Sequence, residues 1–290
     1  MGLSDDVRRD CARVAAGARS VHIDATALGA VEPAEPPELD PQVHYLEGTP
    51  EDVARYLLAL DAINFGSGWF PLLDKRPGLS GYFTVAWNMS DDWRARGPWS
   101  AADLRAMTTE RVAVALRQTP ALELMSLFAQ ALREFGRLLG DGGALDLIAA
   151  ANGSAQRLAG RLAAECALFA DHGFYKRAQI AANDLALAGV AQFDDLDDLT
   201  IFADNLVPHV LRCDGVLVYD DALATHIDGN RLLPAGREER EIRACAVHAC
   251  ELLAARTGVP PRVLDVWLWN RGQAPAYKAR PRHRTRTVFY

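Results

Sequence analysis

Along most of this chain, apolar residues recur every three or four positions, the interval that turns one face of an α-helix toward a core. The clearest case is Leu122, Met125, Phe128, Leu132, Phe135 and Leu139, which predicts a core helix stopped by Gly140-Asp141-Gly142-Gly143. Upstream, EDVARYLLALDAINF keeps the same period behind Thr49-Pro50-Glu51, which reads as an N-cap, a proline at the first helical position and a first-turn acid. Further helical periods cover 154–169, 176–188, 238–256 and 261–269. No sustained two-residue alternation competes with them, so the fold class is mainly α. The exception is FGSGWFPLLDKRPGLSGYF, where glycine and proline punctuate aromatics; it predicts a loop and then a short strand, at most a small β hairpin near residues 65–90. In VEPAEPPELDP, from Val31 to Pro41, prolines alternate with acids, which predicts a surface crossing rather than a domain boundary.

Composition narrows the picture. A chain of 290 residues, 50% of them hydrophobic, can bury a substantial core, and we expect one domain over 1–290 with residues 1–45 as an N-terminal extension packing on it. Acidic residues outnumber basic ones by 38 to 31, so the surface lacks the positive field that holds a polyanion, and long nucleic acid is a poor partner. The five cysteines are scattered and form no CxxC pair, which argues against a disulfide framework or a zinc site. No apolar run approaches the roughly 20 residues that span a bilayer, and MGLSDDVRRD is charged where a signal peptide is apolar; no membrane partner and a cytoplasmic location are expected. No feature sets the oligomeric state.

Walker loops, a GxGxxG turn, a GxSxG elbow and an HExxH helix do not occur in the sequence, so the chemistry must come from less familiar pieces. In TIFADNLVPHVL, Asp204 follows an apolar stretch and precedes Pro208, a position near an element end; on the residues alone a helix-capping role is the stronger alternative. In FYKRAQIAANDL, Lys176 and Arg177 open a helix, where cations oppose the macrodipole, and either a bound phosphate or plain solvation accounts for them. In VLDVWLWNRG, Asp265 and Trp269 share a helix face, with Asn270 beside them: an acceptor and an indole suit a purine-like base, and the tryptophans equally suit a core. The ending PRHRTRTVFY gathers Arg280, Arg282, His283, Arg284 and Arg286 before an apolar finish that argues for docking.

These pieces, in this order, resemble the queuosine salvage family, the queuosine 5'-phosphate N-glycosylases. The resemblance runs through HYLEGTPEDVARYLLALDAINF, GFYKRAQI, LTIFADNLVPHVLRCDGVLVYDDAL, REEREIRACAVHACELL, LDVWLWNRG and HRTRTVFY. It implies a single helical domain similar to helix-hairpin-helix DNA glycosylases and a small-molecule substrate, queuosine 5'-monophosphate. It also implies release of queuine for salvage into tRNA modification, with no cofactor, metal or organic. Asp204 becomes the catalytic carboxylate, Phe202 a base contact, Asp265 and Trp269 pocket residues, and His44 a ligand-contacting histidine. Two departures stand out: Asn270 occupies a position where the family more often carries aspartate, and NFGSGWF loosens an NFCFW-like block.

Cleaving an N-glycosidic bond builds oxocarbenium character at C1', which a carboxylate beneath that carbon stabilises by charge or by covalent attack. A 7-deazapurine lacks the N7 that ordinary purine hydrolases protonate, so its departure is helped through other atoms. The expected phosphate ligand is Lys176 and, less directly, Arg177, with the C-terminal arginines as competitors. A DNA or RNA base glycosylase and a non-catalytic binder of queuine or its nucleotide are the alternatives.

Overall fold

The computed structural model describes residues 2–34 and 38–290; Glu35, Pro36 and Pro37, inside the expected proline-acid crossing, lie outside the described residues. Helices dominate the described chain, as the periodicity predicts. They fall into two compact units.

The described residues of the first unit are 2–34, 172–176 and 197–287. Its centre is the helix Arg237–Thr257, whose buried Ile242, Cys245, Val247, Ala249, Cys250 and Leu253 reach beyond a single stripe because neighbours cover it on several sides. The Leu3–Ala16 helix packs along it through Val7 and Cys11 and is tied by Arg8 to Glu251 at 2.9 Å. Of the expected extension 1–45, residues 2–34 contribute Val7, Cys11, Val21, Leu28 and Val31 to this unit's core, while 38–45 belong to the other unit. Strand Val21–Ile23 pairs antiparallel with Leu217–Tyr219, with His22 opposite Val218. Glu241 holds the approach to that strand by accepting from the amides of Arg19 (3.1 Å) and Ser20 (2.8 Å). The helices Val207–Cys213 and Pro261–Arg271 complete the unit's core with Val210, Leu211, Leu264 and Leu268.

The second unit holds 38–171, 177–196 and 288–290. Thr49 caps the helix Pro50–Ala62 as expected, accepting from the Asp52 amide at 3.2 Å. The Glu123–Leu139 helix buries Met125, Phe128, Leu132, Phe135 and Leu139 of the predicted stripe, with half-buried Leu122 at its N-cap, and Phe128 meets Phe65 edge-on at 5.0 Å. Gly136 allows the Ala101–Arg105 helix to cross closely, since a Cβ there would lie 2.6 Å from the Arg105 amide nitrogen.

The hairpin expected near residues 65–90 is absent: Phe70–Leu72 forms a 3-10 turn and Gly81–Arg96 a sixteen-residue α-helix. The helix escaped the periodicity because polar residues sit inside it. Asn88 is buried and donates to the Leu116 carbonyl at 2.7 Å, and buried Asp92 takes the Arg111 guanidinium and the Trp99 indole N–H. Internal bonds make those side chains acceptable in a core, and no apolar stripe results.

Candidate active site

Asp204 lies in the first unit, on the non-helical turn just before the Val207–Cys213 helix. Its Oδ1 accepts from the amides of Leu206 (2.7 Å) and Val207 (3.0 Å). The N-cap position of that helix is Leu206, and Asp204 holds the amides at its start from two residues upstream with one oxygen; Oδ2 accepts no hydrogen bond among the described residues and the side chain is half-buried.

The turn is braced on every side within its unit. The Phe202 amide donates to Asp265 Oδ1 at 2.8 Å, Arg243 Nε donates to the Ala203 carbonyl at 2.9 Å, and Asn205 Nδ2 donates to the His283 carbonyl at 3.2 Å. Arg243 is buried and lies over the Phe174 ring at 3.9 Å, so one guanidinium ties the Asp204 turn to the segment that precedes Lys176. A carboxylate fixed in this way loses little orientational freedom when it acts, the condition for electrostatic or nucleophilic catalysis.

The helix Pro261–Arg271 brings its end to this turn. Gly272 makes the approach possible: a Cβ there would lie 2.8 Å from the Leu206 side chain and 2.9 Å from Val210. Asp265, expected as a base acceptor, is 5% exposed and uses Oδ1 on the Phe202 amide, so it positions the Asp204 turn. Phe202 is buried as well, while Trp269 and Asn270 are half-exposed. The Asn270 side-chain amide makes no hydrogen bond among the described residues. Beyond them, Arg271 reaches Asp214 at 2.9 Å and lies 4.7 Å from the centre of the Trp267 ring, which fixes the helix end.

Of the helix-opening cations, Lys176 belongs to the first unit and Arg177 to the second. Lys176 is 4% exposed and already has a partner in the folded chain. Arg177 does not fit a phosphate ligand. It is 1% exposed, between the Phe65 and Phe169 rings at 4.7 and 4.9 Å, and donates to the carbonyls of Ala62 and Val288. Burial pushes its pKa down to about 9, against the pull of Asp171 and Asp61. Val288 is part of the docked tail, whose Tyr290 carbonyl accepts from the Gly66 amide at 3.0 Å.

His44, also in the second unit, is 5% exposed with both ring nitrogens engaged: Nδ1 with the Asp40 carbonyl at 3.0 Å and Nε2 with the Tyr82 hydroxyl at 3.1 Å. Burial lowers its pKa, so the neutral ring donates through Nδ1–H and accepts from Tyr82. Sequence reasoning missed Tyr82, Arg243 and Asn205. Arg243 was visible only as the partner of Glu239 four residues earlier, a pairing ordinarily found on solvated helix faces.

Fold and site together define a mainly helical protein with one carboxylate held on a braced turn. Residues 43–290 match the profile of the family described as Queuosine salvage protein, and the chain belongs to that family. Among relatives named Queuosine 5'-phosphate N-glycosylase/hydrolase, that of Sphaerobacter thermophilus is 33% identical over 309 aligned positions, covering 96% of this chain and 95% of the relative. The Mus musculus protein of the same name is 27% identical over 293 positions, covering 87% and 85%, and that of Dictyostelium discoideum is 41% identical over 134, covering 40% of each.

Proposed function

We propose that this protein is an N-glycosidase that hydrolyses queuosine 5'-monophosphate to queuine and ribose 5-phosphate. The observation that carries the reading is Asp204, anchored by two amides through Oδ1 and open at Oδ2, in a chain whose relatives bear the name of that activity. As the C1'–N bond breaks, its electron pair leaves with the base, and the Asp204 carboxylate stabilises the positive charge developing at C1'. Water then supplies the hydroxyl at C1', and its other proton goes to the departing base.

The remaining roles follow from what each side chain has available. Asp265 and Arg243 hold the main chain just before Asp204, at the Phe202 amide and the Ala203 carbonyl, Trp269 offers a ring face to the base, and Asn270 offers a free amide to its polar edge. An amide both donates and accepts, so Asn270 suits a neutral edge of the base. The direct test is incubation of the purified protein with queuosine 5'-monophosphate and chromatographic detection of queuine. Release that persists in Asp204→Asn would overturn the catalytic role, and retained ligand binding without release in that variant separates enzyme from binder.

A further inference from the structure

We infer that Arg282 receives the phosphate of the substrate and sets the preference for a phosphorylated ribose, an inference that rests on the glycosidase reading above. The C-terminal segment of the first unit follows a pattern: His283 and Thr285 are buried, and the arginines alternate with them. Arg280 reaches Asp228 at 3.3 Å, and Arg284 reaches the Asn230 carbonyl at 3.0 Å and its side-chain oxygen at 2.7 Å. Arg282, between them, makes no hydrogen bond or ion pair among the described residues although it is half-buried. A guanidinium carries five donors, and enclosing it without an acceptor is costly unless an anion arrives.

Its location suits that anion. The Asn205 side chain binds the carbonyl of the next residue, His283, at 3.2 Å, so the segment is fastened to the turn that carries Asp204. The Leu233 amide fastens it again through the Arg284 carbonyl at 2.9 Å. Burial holds the Arg282 guanidinium below its ordinary pKa, Asp204 is the negative charge that opposes this, and Arg284 adds to the shift. A sugar phosphate presents its reacting carbon and its phosphate a few bonds apart, and here the fixed carboxylate and the uncommitted arginine each stand one residue from the Asn205–His283 hydrogen bond that joins their segments. Lys176, by contrast, is engaged in the folded chain, and Arg177 is held by carbonyls.

The test compares wild type, Arg282→Gln and Arg282→Lys on queuosine 5'-monophosphate and on unphosphorylated queuosine. A lost charge-assisted contact to phosphate corresponds to a fall of about 10- to 100-fold in kcat/KM, expected on the nucleotide alone and mostly in KM. Arg282→Lys, which restores a point charge, should recover part of it. Equal losses on both substrates, or no loss on either, would overturn the proposal. A second measurement needs no turnover: ribose 5-phosphate should raise the thermal midpoint of the wild type and not of Arg282→Gln. If wild type releases no base from either compound while that stabilisation still depends on Arg282, the glycosidase reading falls and the phosphate site stands. If ribose 5-phosphate stabilises both proteins equally, or neither, the phosphate site falls.

Discussion

The two compact units differ in what their candidate site residues have left to offer. In the second unit, polar groups that looked chemically interesting are committed to the fold: both His44 nitrogens have partners, and Arg177 serves two carbonyls between two aromatic rings. In the first unit, the main chain around Asp204 is fully braced, yet Asp204 Oδ2, the Asn270 amide and the Arg282 guanidinium have bonding capacity left over. Half-buried polar groups without protein partners are costly, and on the proposed reading the unused capacity beside this rigid turn is what the ligand fills. Burial or charge alone would have ranked Arg177 above Arg282. The number of bonds made reverses that order: Arg177 donates to two carbonyls and leaves only Nε unpaired, whereas Arg282 donates to no group among the described residues.

Four measurements would break or sharpen this contrast. Asp204→Asn should lower base release by about a thousandfold or more, because on the proposed mechanism the charge it removes is the one that stabilises C1'. Its amide oxygen can still cap the helix, so chemical denaturation should register less than about 1 kcal/mol. Arg177→Met should behave in the reverse manner, costing about 3 kcal/mol of stability by leaving two carbonyls without donors, with no change in preference for a phosphorylated substrate. A shift in that preference without loss of stability would erase the distinction between the units.

A third measurement concerns His283, whose pKa burial pushes down to about 3, with Arg243, His209, Arg282 and Arg212 all opposing its charge. The unfolded chain takes up this proton near pH 6.5 and the folded chain does not, so the contribution is complete above pH 6.5 and is lost as pH falls toward 3. Unfolding free energy measured across that window should decline more steeply in wild type than in His283→Gln, by about 1.4 kcal/mol per pH unit. Matching slopes would mean that His283 is not held neutral behind the Asp204 turn. The smallest effect is expected for Tyr82→Phe, which removes the hydroxyl donor to His44 and should cost about 1 kcal/mol in denaturant melts while leaving turnover of the nucleotide unchanged.

Much of this was legible in the chain. The stripe from Leu122 to Leu139 and the Thr49-Pro50 start correspond to helices Glu123–Leu139 and Pro50–Ala62, because burying a stripe and capping an end are local requirements written in neighbouring residues. The helix Gly81–Arg96 was not legible, since its inward face carries Asn88 and Asp92, whose acceptability depends on Leu116, Trp99 and Arg111 arriving from elsewhere. For the site, Asp204 could be named from its segment, but a cap and a catalyst look alike in one dimension.

The sequence by itself determined the mainly helical class and the family, and it singled out Asp204 as the candidate carboxylate. Only the tertiary structure decided that Asp204 caps with one oxygen and keeps the other, that Asp265 positions the turn, and that Arg177 is structural while Arg282 has no partner. The physical reason is that hydrogen-bond satisfaction is a property of pairs distant in sequence. Asp265 meets Phe202 and His283 meets Asn205 across 63 and 78 positions, and no local pattern records which donors and acceptors remain unmatched once the chain has folded.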